Sequence, residues 1–362
     1  MNDPALQDDP AEFWSRSPEL FPFGFDIPSD TFACLRLSRA DFEEASFLDA
    51  RILTPGRRPR SLPWRDLSAR IEAAGLTERC DFIFHIGHVG STLLSRLLGA
   101  HPGVFSLREP LVLRGFAQLD VDAGLLPTAS LWSAGDREAR LAGCLKLLSR
   151  TFNPGERAVV KATSFVSELA ARLLSRPAAP QAILMFVSAE SYLATIFAGP
   201  NSRQEAKLLA PMRLRRLQRR LGREAWRLES LREGQTVALA WACEMSALAQ
   251  AASVAGTRVM RLDFDEFLAD PPRFLHAALG HFQIDAGTAH VDAILRGPHL
   301  HRYSKAPEHA YDAALRRRVL SEARAEHRVE IKRGLDWLER AAADFPALGA
   351  ALSFAAPNQL SR

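Results

Sequence analysis

The sequence predicts an α/β protein: a P-loop-type parallel sheet of about five strands flanked by helices, with an N-terminal cap and a C-terminal helical extension. Three observations carry this. From Asp81 onward, short apolar runs alternate with longer amphipathic segments, the pattern of strand–helix–strand units around a parallel sheet. The first of these runs breaks into a glycine-bearing turn, Gly87-His88-Val89-Gly90, that leads straight into a Ser91-Thr92 helix opening. No internal repeat of about 20 to 50 residues is present, which excludes a solenoid.

Taken in order, residues 1–75 mix prolines, acids and short apolar pieces with a turn-prone basic stretch around Arg57, and read as a cap segment. Its aromatic piece between Phe13 and Phe25 is expected to pack on the main domain, because exposed aromatic clusters are costly. An α/β domain is expected over residues 76–310, with strands at 82–86, 104–107, 157–161, 182–187 and 257–262. Helices are expected at 91–100, 136–152, 164–175, 189–198, 203–221, 235–254 and 271–280. The extension, 311–362, carries a long amphipathic segment at 313–341. Ligands of open parallel sheets bind beyond the carboxyl ends of the strands, and His88, Glu109, Lys161 and Ser188 fall at or just after such ends.

Composition sets outer bounds. With 362 residues, 47% hydrophobic and 24% charged, the chain can bury a sizeable core. Uninterrupted apolar runs such as 182–187 and 237–242 fall well short of the roughly 18 residues that span a bilayer. The acidic N-terminus lacks the basic and apolar regions of a secretory signal, so a cytoplasmic location is expected. Cys34, Cys80, Cys144 and Cys243 are too scattered for metal ligation, and His299 with His301 lacks a third ligand. A net charge of +4 is mild and concentrated between Arg203 and Arg232. There, Leu214, Leu217 and Leu221 alternate with arginines in the manner of a charged surface helix. Without interleaved aromatics it gives no reason to expect nucleic acid.

Gly87 to Thr92 is where chemistry is concentrated. Glycines allow a tight turn, and the first amides of the following helix have no intrahelical partner, so the helix end favours a phosphate or sulfate. A Walker A loop would place a lysine just before Ser91, whereas this chain has Gly90 there. Only His88 supplies part-time charge inside the loop.

The segment resembles the sulfotransferase family, whose first strand ends in a Pro-Arg/Lys-Ser-Gly-Thr-Thr loop. Here Gly87, His88, Val89, Gly90, Ser91 and Thr92 occupy those places, followed by Leu93-Leu94, Leu97-Leu98, His101-Pro102 and Glu109-Pro110. Further likeness at Val160-Lys161, residues 182–197, Trp241, residues 263–271 and Arg302-Tyr303-Ser304-Lys305 extends it over roughly residues 80 to 310; the landmarks are those common in bacterial members, and the place of Glu109 resembles the tyrosylprotein branch.

The resemblance implies a sulfuryl transfer from 3′-phosphoadenosine 5′-phosphosulfate to a hydroxyl or amine of a small molecule or peptide, without a metal. It assigns the loop Gly87 to Thr92 to the donor's phosphosulfate and makes Glu109 a general base; a structural carboxylate paired with Arg108 or a loop amide is the other reading. Lys161 is implied to reach the transferring group, and His88 replaces the family's basic residue as donor or base. For the 3′-phosphate the family uses an arginine and, eight residues on, a serine; here these positions are Val187 and Thr195. Arg203 is a candidate to replace the missing cation, unless it is one more charge on the basic helix. Ser304 and Lys305 fall in the family's C-terminal nucleotide-covering segment. Two rival functions stay open: a P-loop kinase or phosphotransferase, which the absent Walker lysine opposes, and a non-catalytic nucleotide- or anion-binding protein.

Overall fold

The computed structural model describes residues 17–123, 131–300, 302–303, 306–310 and 313–356. A three-stranded antiparallel sheet comes first, with β1 (Leu20–Asp26), β2 (Thr31–Arg36) and β3 (Arg60–Pro63) side by side in that order. Helix α1 (Arg39–Glu44) follows β2, started by Ser38, whose hydroxyl accepts from the Asp41 amide; α2 (Trp64–Ala73) leaves β3. Phe21 and Phe23 are buried. The Phe25 ring lies 4.8 Å from that of Phe116 and 5.1 Å from that of Trp132, joining this sheet to the helices below it.

The central sheet has five parallel strands: β4 (Asp81–His85), β5 (Val104–Arg108), β6 (Arg157–Lys161), β7 (Ala182–Phe186) and β8 (Val259–Asp263). All five expected strands are present. Every residue of β4, β5 and β7 is buried, as expected for strands covered by helices on both faces. The spatial order β5-β6-β4-β7-β8 makes β4 the strand where the chain changes direction of travel. Crevices for ligands open at the carboxyl end of such a strand.

Between the strands run α3 (Ser91–Gly99), α4 (Leu111–Ala123), α5 (Ala134–Leu148), α6 (Ala170–Leu174), α7 (Ala189–Phe197), α8 (Pro200–Leu221) and α9 (Glu233–Ala255). After β8 come α10 (Phe264–Ala269), α11 (Pro271–His281), α12 (Thr288–Arg296), α13 (Ala313–Glu326), α14 (Arg328–Asp344) and α15 (Pro346–Ala355). Three differences from the sequence reading stand out. The helix expected at 164–175 is a tighter 3₁₀ segment, Ser164–Leu169, running into α6. The one expected at 313–341 is interrupted at His327, which takes φ −107° and ψ 23°. Helices α1, α2, α4, α12 and α15 were not anticipated.

Helix α9 is the spine of the core. As a whole helix it is long and apolar enough to cross a membrane, which the shorter runs of its sequence do not reveal; 72% of its apolar window is buried inside the fold. Helix α8 packs against it, and here the reading of a charged surface helix is corrected: Arg213 and Arg216 are buried, at 4% and 0% exposure. All four cysteines are buried and unpaired.

Candidate active site

The turn after β4 is built from left-handed backbone. Gly87, His88 and Gly90 sit at φ +83°, +56° and +63°. Glycine enters this region freely; for histidine it costs about 1–2 kcal/mol. Gly90 has no room for a side chain, since a Cβ there would lie 2.0 Å from the Phe264 ring. The Gly87 amide donates to His85 Nδ1 at 3.0 Å. Beyond it, no acceptor among the described residues meets the amides of Val89, Gly90, Ser91 or Thr92. All of Gly87 to Thr92 line one cavity of about 510 Å³, at the positive end of α3. Converging free amides at a helix start are the arrangement that takes an oxyanion.

His88 and Glu109 line the same cavity. His88 Nε2 lies 3.7 Å from Glu205 Oε2, on α8. Glu109 has one carboxylate oxygen on Lys161 Nζ and the other 4.0 Å from Arg51. Arg108, the neighbour considered as its partner, instead donates to carbonyls of Phe42, Glu43 and Ala45. Burial and nearby Arg96 lower the Arg108 pKa to about 10.

Lys161 is placed differently from the expectation. Its side chain is fully buried inside the sheet, does not line the cavity, and ends on Glu109 and on Thr92 Oγ1 at 3.3 Å. The cation is thus tied behind the loop rather than extended into the site, and it touches the loop through the Thr92 hydroxyl.

Thr195 lines the cavity, with its hydroxyl donating to the Ser191 carbonyl at 2.7 Å. The Val187 position holds no cation, and its carbonyl accepts from Trp241 Nε1 at 3.1 Å. Arg203, expected to take over that role, does not line the cavity. Its guanidinium forks onto Glu233 at 3.1 Å from both oxygens and lies 5.6 Å over the Phe197 ring. Ser304 and Lys305 lie outside the described residues.

Several lining residues were missed by the sequence reading: Arg51, Glu205, Arg213, Arg216, Glu244 and Arg316. Arg216 holds both oxygens of Glu244 at 3.0 and 3.1 Å, and with Arg219 and Arg220 it also converges on Glu168. Burial alone would raise the Glu168 carboxyl, but Arg220 and Arg216 outweigh it and hold it below the usual range. From the other wall, Arg316 lies 5.0 Å over the Phe264 ring and donates to Asp265 at 2.8 Å. One sequence signal was available. Glu244 is a lone acid inside the apolar run of α9, and an isolated acid in a buried helix requires a cation opposite.

No family model matches the chain, and no curated protein does. Among solved structures, it is similar to the sulfotransferase domain from the curacin biosynthetic pathway at 14% identity, covering 73% of this chain and 98% of that one, with a TM-score of 0.39. A sulfotransferase from Alicyclobacillus acidocaldarius overlaps at 15% identity, 76% and 94% coverage and TM-score 0.36. Sulfotransferase STF9 from Mycobacterium avium does so at 13% identity, 72% and 81% coverage and TM-score 0.35. Overlaps this loose assign no activity.

Proposed function

We propose that this cavity binds 3′-phosphoadenosine 5′-phosphosulfate and that the protein is a sulfotransferase. One observation carries the reading: the amides of Val89 to Thr92 have no acceptor in the described chain and line a cavity large enough for a nucleotide end. Sulfuryl transfer, like phosphoryl transfer, needs little covalent help from the protein. It needs in-line positioning and donors for charge on the leaving and equatorial oxygens.

In this reading the loop amides and the Ser91 and Thr92 hydroxyls hold the donor's phosphosulfate. The acceptor oxygen or nitrogen attacks sulfur, the bond from sulfur to the bridging phosphate oxygen breaks, and adenosine 3′,5′-bisphosphate leaves. The acceptor's proton passes to His88. Glu205 Oε2, 3.7 Å from Nε2, faces the ring that takes the proton. Glu109 is the less suited base, since both of its oxygens already face cations, Lys161 and Arg51. Its role is to hold Lys161 and, through it, Thr92.

Calorimetric titration tests this directly. Metal-independent binding of adenosine 3′,5′-bisphosphate supports the sulfotransferase reading. Binding of ATP that requires Mg²⁺ would replace it with a phosphotransferase, and no binding of either nucleotide would end it.

A further inference from the structure

Away from the loop, the cavity meets a second concentration of positive charge. Four guanidinium groups of α8, from Arg213, Arg216, Arg219 and Arg220, share two carboxylates, Glu168 and Glu244. The sharing is unequal. Arg216 occupies both oxygens of Glu244, and Arg216, Arg219 and Arg220 together occupy Glu168. Arg213 is left with an approach of 3.7 Å to Glu244, and among the described residues its Nε makes no hydrogen bond although the residue is only 4% exposed.

Two neutral groups share this condition. Among the described residues, the Tyr192 hydroxyl, on a fully buried side chain of α7, has no hydrogen-bond partner, and neither does Thr163 Oγ1. Thr163 and Arg213 line the cavity, as does Thr195, one turn beyond Tyr192. A buried guanidinium nitrogen without a hydrogen-bond acceptor is costly, and native structures seldom leave one unfilled. The surplus here is cationic and opens onto a space that already holds an oxyanion cradle.

We infer that Arg213 is the centre of a second oxyanion site, so that the cavity accepts two anionic groups at once: one on the loop amides and one on Arg213. The group is a phosphate, sulfate or carboxylate, which a guanidinium binds through two parallel N–H donors. It has two sources. It is either the second phosphate of the nucleotide, entering from α8 in place of the cation missing at Val187, or an acidic group on the acceptor. The inference rests on the loop being an oxyanion cradle, and its test separates the two.

Wild type, Arg213→Gln and Arg213→Lys are titrated with adenosine 3′,5′-bisphosphate, with adenosine 5′-monophosphate, and with inorganic sulfate before and after saturation by the bisphosphate. If the nucleotide supplies the second anion, Arg213→Gln loses about tenfold or more in bisphosphate affinity and binds the monophosphate as wild type does. If the acceptor supplies it, nucleotide affinities are unchanged and the sulfate that wild type binds on top of the bisphosphate is lost in Arg213→Gln. Arg213→Lys, with charge but no fork, falls between in either case. Ligand-free Arg213→Gln gives up the 3.7 Å ion pair with Glu244 and melts below wild type, so Arg213→Lys, which keeps the charge, is the control for folding; a lysine variant that binds every ligand as wild type does overturns the inference. Titrations indistinguishable from wild type overturn it too, while leaving the loop reading intact. If no nucleotide binds any of the proteins, the loop reading fails, and sulfate alone still decides the second site: one ion bound by wild type and lost in Arg213→Gln sustains it, and equal uptake ends it.

Discussion

Lys161 and Glu109 form an ion pair across the carboxyl ends of two neighbouring parallel strands, and the Glu109 amide donates to the Lys161 carbonyl at 2.6 Å. The pair is asymmetric. The lysine side chain is 1% exposed and the glutamate 13%, and Glu109 has Arg51 as a second cation at 4.0 Å. The two residues are 52 positions apart in sequence, so the pair fixes the loop after β5 to the end of β6.

Removing the two partners should therefore have unequal costs. Glu109→Gln takes the carboxylate away from a buried ammonium and is expected to destabilise the fold by about 3 kcal/mol, whereas Lys161→Met leaves a carboxylate that still faces Arg51 and should cost less. The double variant should be more stable than the sum of the two losses. Urea unfolding of all four proteins measures this, and strict additivity would show that the pair is not coupled.

His88 separates stability from chemistry. Its φ of +56° is a conformation glycine adopts without strain, so His88→Gly should raise stability by about 1 kcal/mol. If the ring takes the acceptor's proton, the same change should lower turnover by about a hundredfold or more. A variant that melts higher and still transfers at the wild-type rate would remove His88 from the mechanism.

Gly90 is constrained from two directions, by a φ of +63° and by the Phe264 ring. Gly90→Ala is expected to cost about 2–4 kcal/mol and to abolish nucleotide binding, because the loop must move to clear the ring. Adding Phe264→Leu should recover part of the stability but not all, since the backbone strain stays. Melting curves with and without the bisphosphate distinguish the two contributions.

The strand ends and the loop could be read from the sequence for a simple reason: buried parallel strands are short apolar runs, and the residues that follow them must be small or polar. The inward arginines could not. Helix α8 carries charge on nearly every face, so its periodicity does not say which face meets solvent; that is decided by Glu168 and Glu244, which lie on other elements. Arg203 misled in the opposite sense, because its proximity to Thr195 in sequence suggested the site while Glu233, 30 residues on, draws it away. Lys161 was recognisable at its strand end, yet the carboxylate that engages it belongs to a neighbouring strand. Charge pairing between distant elements is the information that a single sequence does not display.

Asp263 gives the site region a pH dependence of unusual sign. It starts α10, accepting from the amides of Asp265 at 2.7 Å and Glu266 at 3.3 Å. Burial pushes its carboxyl up to about 6 from an ordinary 3.8, with the charges of Asp265 and Glu266 adding to the rise and the two amide bonds opposing it. A carboxyl raised in the folded state favours folding most when it is protonated. Its contribution is complete below pH 3.8 and is lost as the pH rises through about 6. An asparagine side chain at this position would keep an oxygen for both amides and carry no charge. The stability of Asp263→Asn relative to wild type should therefore grow between pH 4 and pH 7, by about 3 kcal/mol at the top of that range. Urea midpoints of both proteins across this range measure the gap; a gap that stays constant would mean that Asp263 titrates in the folded protein as it does in the unfolded chain.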